Sequence, residues 1–321
     1  MSSSTFSSKR WLQIFFALVI MASVGFLVAS EWLVRTLVVP QDNFEWIAAR
    51  LRNSQQASAA FGDSHVAAVP DYNTADFVNL GIGATTIRKM DQRVRYYFGK
   101  IKPNEVIIQA DPHLFADYRL EQQASYVPEA YSQSRLRVLD PRHRSFMIGY
   151  WTTLLETGQL KEKANTGYDQ LWDSVARTEP VSSLAAVQAA VKMDAATLTK
   201  FNAFMDYEVA THTPASNFRQ RDEARIYQDL IKFLISRGAK VCLLNYPVDK
   251  YYRERADRIP AFADTRKFYV EVARENHIPY VSFWDRFDDP SMFQNTDHVN
   301  RNGSPILVRE ALHACFGKPA P

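Results

Sequence analysis

Cysteine is scarce in this chain, with Cys242 and Cys315 the two present in 321 residues. At most one internal disulfide can form, and no Cys/His spacing resembles a zinc site. Cys242 lies in an apolar strand-like run and Cys315 near the end of the last helix, so two buried thiols are expected. A bond between them is the rival in an oxidising compartment. A dominant charge is lacking too: 38 basic against 35 acidic residues leave a formal +3 and no basic patch, which excludes a nucleic-acid footprint. There are no internal repeats, no low-complexity tract beyond the Ser-rich start, and no second long apolar run after the first. With 46% apolar and 23% charged residues, what remains is one or two domains able to bury a large core.

The opening residues break that balance. "MSSSTFSSKR" is polar and ends in Lys9 and Arg10, and no charged residue follows from Trp11 to Ser30. About twenty such residues suffice to cross a hydrocarbon core of roughly 30 Å. A cleaved signal peptide is the competing reading, because "VAS" before Glu31 supplies small residues, yet secretory apolar regions usually run about 7 to 15 residues. Lys9 and Arg10 favour an inside N-terminus, although Arg35 and Arg50 beyond the span weaken the asymmetry. The expectation is a cytoplasmic stub at 1–10 and a single-pass anchor at 11–30 in a bacterial inner membrane. A connection at 31–57 follows, with the remaining domain on the periplasmic side.

From there strands and helices alternate. The strand ending at Gly62 is followed by "DFVNLGIG", an amphipathic run from Thr85 to Lys100, and "NEVIIQAD". After a long interruption come "RDEARIYQDLIKFLISRG" with Gly238 as its stop, "AKVCLLNYP" as a continuous apolar strand, a helix from about Asp264 to Asn276, and "IPYVSFWD". Strands joined by helical crossovers imply a parallel sheet covered on both faces, with ligands at the carboxyl ends of its strands. Gly303, Ser304 and Pro305 read as turn, N-cap and first-turn proline of a last helix. The interruption at about 114–217 reads as a helical insertion or lid. Its aromatics Tyr126, Tyr131, Tyr150, Trp151 and Trp172 either stack on sugars or pack the insertion's own core.

Acyl transfer through serine needs a nucleophile, a base, a group to orient the base, and donors for the oxyanion. Ser64, in "FGDSH", sits where a strand breaks at Gly62. Gly81, in "NLGIG", follows the second strand, where a glycine permits close backbone approach. His298, on the loop before the last helix, is the natural base. Other polar residues have blander readings: His65 facing the cleft, Asp63 organising the turn, and His143 a solvated loop residue. His212, His277 and His313 lack a partner pattern, and "DRFDDP" is only superficially like a calcium loop.

"FGDSH", "NLGIG" and "HVNRNG", in that order, resemble the SGNH hydrolase superfamily, also called GDSL-type. The resemblance covers most of 58–112 and 222–316 and leaves the insertion outside. It implies an α/β, flavodoxin-like three-layer sandwich with a parallel sheet, here at 58–316 with a short tail at 317–321. Ser64 then matches the nucleophile and first oxyanion donor, Gly81 the second donor, and His298 the base. Two departures stand out. The family's Gly-x-Asn-Asp block is replaced by "QADPHLF", so the oxyanion Asn is missing and either His113 or the backbone near Asp111 substitutes, or these residues only shape a turn. Three residues before His298 stands Asn295 where the family has Asp; an Asn carbonyl can fix the imidazole tautomer but brings no charge, whereas Asp297 brings charge from an adjacent position.

Membrane-anchored proteins of this layout resemble those of bacterial exopolysaccharide and cell-wall acylation systems. The resemblance implies an O-acetyltransferase acting on an exported polysaccharide through a Ser64 acyl-enzyme. Its implied partner is a multispanning membrane-bound O-acyltransferase. No cofactor, metal or nucleic acid is implied. The alternatives are a carbohydrate or lipid esterase and a catalytically inactive polysaccharide-binding or scaffold module.

Overall fold

A computed structural model of the protein describes residues 8–38, 58–69, 77–100, 102–124, 136–139, 195–318 and, within 147–158, positions 147, 148, 151, 152, 154–156 and 158. Most of the connection at 31–57, most of the insertion, and Tyr126, Tyr131, His143, Tyr150 and Trp172 lie outside the described residues. The chain divides into two compact units, Met1–Trp46 with Ala130–Asp169, and Ile47–Glu129 with Gln170–Pro321.

The first unit is built on helix α1, Ser8–Leu33, which continues as a π-helical turn over Val34–Val38. Its apolar residues point outward: Trp11, Phe15, Ile20 and Val28 are each more than half exposed. Arg10–Thr36 is long and apolar enough to cross a membrane, with none of its apolar window buried. At its far end Leu33, Val34 and Met147 form a small buried cluster flanked by Val138 and Trp151. The Glu31 carboxylate accepts the backbone N–H groups of Arg137 and Val138 at 2.9 and 2.8 Å, and Trp151 Nε1 donates to Ser30 Oγ.

The second unit holds a five-stranded, all-parallel sheet: β1 Ser58–Phe61, β2 Phe77–Asn79, β3 Glu105–Gln109, β4 Lys240–Asn245 and β5 Tyr280–Ser282, in the order β2-β1-β3-β4-β5. This is the flavodoxin-like strand order, and the α/β sandwich follows from the sequence because β1, β3 and β4 are nearly all apolar and buried on both faces. Ala60, Ile107, Cys242 and Leu244 point to one side, where Leu307 and Ala311 of the last helix cover them. The alternate residues face helices Ile87–Lys100, Asp222–Ser236 and Pro260–Glu275; Phe61 meets Tyr97, and the Tyr227 and Tyr269 hydroxyls donate to the carbonyls of Gln109 and Asp111.

Three expectations need correction. The two cysteines form a disulfide. Strand alternation aims Cys242 at the helix carrying Cys315, and a Cα–Cα distance of 5.6 Å lies within disulfide reach. The helix expected from about Asp264 begins at Pro260, whose missing N–H costs nothing at a first turn. The last helix, Gly303–Phe316, is preceded by Asn302 at the N-cap position, and Ser304 is buried inside it with its hydroxyl donating to the Asn300 carbonyl.

Candidate active site

Strand order reverses between β1 and β3, and the crevice at their carboxyl ends is where such sheets hold ligands. Both chemistry-bearing segments leave the sheet there: Gly62-Asp63-Ser64-His65 after β1 and Asp111-Pro112-His113 after β3. Gly62 has to be glycine, since a Cβ would collide with the Gln109 side chain and with Val66. Asp63 N-caps the four-residue helix α2, Ser64–Ala67, by accepting the His65 N–H at 3.0 Å. Ser64 is left half-buried at its first position, and neither its N–H nor its hydroxyl has a hydrogen-bond partner among the described residues.

His298 stands on the loop after β5, with its ring centroid 4.9 Å from that of His65. Asn295 Oδ1 accepts the backbone N–H of His298 at 2.9 Å and that of Asp297 at 3.3 Å, which identifies this atom as the oxygen. The same oxygen lies 2.9 Å from His298 Nδ1, so Nδ1 must carry the proton. Nε2 is therefore the basic nitrogen, and it has no hydrogen-bond partner among the described residues. Asp297 Oδ1 is 2.7 Å from the same Nδ1. Both residues expected to orient His298 thus lie at Nδ1, Asn295 as a neutral acceptor and Asp297 as a carboxylate. Burial works to raise the Asp297 carboxyl, but His298 and His65 outweigh it and hold the group well below the usual carboxylate range.

Gly81 approaches α2 so closely that a Cβ would overlap Val66 and the Ala67 nitrogen. Its N–H, however, donates to Asn79 Oδ1 at 2.8 Å, while Asn79 Nδ2 donates to the carbonyls of Val66 and Val69. His113, the proposed stand-in for the missing oxyanion Asn, is buried and its Nε2 donates to Asp63 Oδ2 at 2.6 Å. Burial lowers its pKa and keeps the ring neutral against the pull of Asp63.

Beneath these groups lies a buried ionic cluster that the sequence did not announce. Arg119 donates to Asp63 Oδ2 at 2.8 Å, and Gln109 bridges Asp63 and Asp111 through Nε2. Asn245 Nδ2 and the Tyr246 N–H both donate to Asp111 Oδ1 at 2.7 Å. Burial opposes ionisation of Asp63, yet His113 and Arg119 hold it well below the carboxylate range. His65 does not face the cleft as expected: it is buried between Asp111 and Asp297. His212, expected to have no partner, follows helix Ala195–Thr211, lies 3.5 Å from Asp297 Oδ2 and stacks on Tyr118; burial lowers its pKa to about 4. On the same helix Glu208 has its carboxyl pushed up by burial and by Asp297. His65, Asp111 and His113, and His65, Asp297 and His298, place potential metal-ligand atoms together, but several of these atoms already face one another in the pairs above. The acidic run at 285–290 does not converge: Asp288 pairs with Arg253 and Asp289 caps a 3-10 turn.

No family model and no curated protein matches the chain. Among solved structures it is similar to an inferred acylhydrolase from Bacteroides fragilis, at 12% identity and TM-score 0.42 over 84% of this chain and 96% of that one. It is likewise similar to a GDSL-like lipase from Bacteroides thetaiotaomicron, at 12% identity and TM-score 0.41 over 84% of this chain and 97% of that one.

Proposed function

We propose that the chain is a serine acyl-transfer enzyme of SGNH type, membrane-anchored and extracytoplasmic, that passes an acetyl group to a hydroxyl of an exported or cell-surface polysaccharide. The observation that carries the reading is the state of His298: its Nδ1–H is pinned by Asn295 Oδ1 with Asp297 alongside, leaving a basic Nε2 beside the turn that presents Ser64. Ser64 Oγ attacks the donor ester carbonyl as its proton moves to Nε2. The donor alcohol leaves with that proton, giving a Ser64 acyl-enzyme. An acceptor hydroxyl then loses its proton to Nε2 as it attacks the acyl carbon, and Ser64 Oγ recovers the proton when the ester bond breaks. The Ser64 N–H is the available oxyanion donor.

Two features support the anchored, exported setting. The Cys242–Cys315 disulfide suits an oxidising compartment. The would-be cleavage site at Ser30–Glu31 is helical, with Ser30 buried and Glu31 bonded to Arg137 and Val138, and such a segment is a poor peptidase substrate. An anchored enzyme also gains effective concentration beside a membrane-embedded acyl donor. The test is p-nitrophenyl acetate turnover and fluorophosphonate labelling by the full chain in detergent, with and without polysaccharide, beside Ser64→Ala. We expect Ser64→Ala to lose at least about 10³-fold in rate with its unfolding midpoint unchanged. Acetylated polymer in place of free acetate selects transfer; free acetate alone makes the chain an esterase, and equal turnover by Ser64→Ala overturns the serine mechanism.

A further inference from the structure

The acyl-transfer steps use Ser64 and His298 and leave His65 without a task, although its surroundings are costly to build. Its side chain is 4% exposed and lies between two carboxylates from different elements: Nδ1 is 2.7 Å from Asp111 Oδ2, off the axis of a hydrogen bond, and Nε2 donates to Asp297 Oδ2 at 3.1 Å. A neutral ring would turn a lone pair toward one of two buried anions, so this position selects the doubly protonated ring.

Resting on the serine reading above, we propose that His65 is a positioning residue for His298, acting through Asp297: by holding Oδ2 it aims Oδ1 at His298 Nδ1. This answers how neighbouring side chains come to meet. The Asn295 turn folds His298 back over the loop, and His65 pulls the Asp297 carboxylate under it. Charge bookkeeping agrees. Asp63, Asp111 and Asp297 face Arg119 and a charged His65, while His113 and His212 stay neutral, so the resting cluster is one cation short. The imidazolium formed when His298 takes the Ser64 proton supplies that charge, and the transition state is favoured over the ground state. Burial works against charging His65, but Asp111 and Asp297 push its pKa well above the ordinary histidine value. The other groups facing it are the rings of His113, His298 and Tyr246 at 4.3, 4.9 and 6.5 Å, with Asp63 and His212 acting at longer range.

The test is a double-mutant cycle of His65→Gln and Asp297→Asn on the full chain, read as kcat and KM of p-nitrophenyl acetate turnover. His65→Gln should lose about 10- to 100-fold in kcat with KM within about twofold. In the Asp297→Asn background the same change should cost less than about twofold, since its route to His298 is already cut. Full, multiplicative loss in that background overturns the proposal. Should the variants fail to fold, nitrogen-15 NMR of histidine-labelled wild type decides: a ring still protonated at both nitrogens above the ordinary imidazole pKa is expected, and a neutral His65 ring overturns the clamp. Fluorophosphonate labelling of wild type separates the two ideas. If Ser64 is not labelled, the serine reading fails by itself; if it is labelled equally fast in wild type and His65→Gln, only the role of His65 fails.

Discussion

The N-terminal helix and the carboxyl edge of the sheet break the rule of burial in opposite directions. In the first, Trp11, Phe15, Ile20 and Val28 are each more than half exposed; in the second, Asp63, Asp111, Asp297, Arg119 and His65 lie inside. Each inversion is costly in water, by roughly 25 cal/mol per Å² of exposed apolar area in one case and several kcal/mol per unpaired buried ion in the other. A sequence keeps such features when something else compensates, and on the function proposed above the compensating contacts are lipid for the helix and a developing charge for the cluster.

The largest expected effect comes from removing the first inversion. Leu18→Lys with Val19→Lys places two charges in the middle of α1 and should disfavour membrane insertion by about 6 kcal/mol. Flotation of the chain with liposomes should be lost while Ser64 labelling in detergent persists. Unchanged flotation would show that the membrane is held by something other than this helix.

The second inversion is broken by Arg119→Met, which fills similar space but strands Asp63. Removing one partner of a buried pair should cost about 3 kcal/mol, read as a lower denaturant midpoint. The His65 N–H, His113 and Gln109 still donate to the Asp63 carboxylate. A midpoint within experimental scatter of wild type would mean that those three donors satisfy the carboxylate without Arg119.

Much of the sheet was legible because parallel strands buried on both faces read as apolar runs: "VCLLN" and "VIIQ" need no context to be placed. The stop at Gly238 was legible for a local reason, its φ of +83°. The site was legible only in its short-range parts. Asp63 and Ser64 announce a capped turn, and Asn295 announces one three residues before His298. What stayed hidden depends on partners far apart in the chain: His65 meets Asp297 across 232 positions and Asn245 meets Asp111 across 134. No spacing rule reaches that far. The disulfide was hidden for the same reason, since 73 residues separate two cysteines that share a face of β4 only once the sheet is formed. His212 was missed because helix Ala195–Thr211 belongs to a stretch outside the family-like blocks, and nothing local marks its end as part of the site.

The smallest effect sharpens the comparison from within the cluster, where not every buried titratable group is charged. His212 keeps a neutral ring: burial lowers its pKa to about 4 against an ordinary value near 6.5, and the attraction of Asp297 does not reverse this. Between those two values the unfolded chain binds a proton that the folded one refuses. The contribution of His212 is thus fully present above about pH 6.5 and lost as pH falls toward 4. His65 has the opposite sign, its raised pKa contributing stability that is present below about pH 6.5 and lost as pH rises through the folded value. The carboxyls of Asp63, Asp111 and Asp297, all lowered, give way last, below about pH 4. Denaturant midpoints at pH 7 and pH 5 should therefore fall less in His212→Gln than in wild type, by on the order of 1 kcal/mol once the ring's partial exposure is allowed for. Parallel curves for the two proteins would mean that His212 is protonated in the fold, and the cluster would then already hold the cation that His298 is argued to bring.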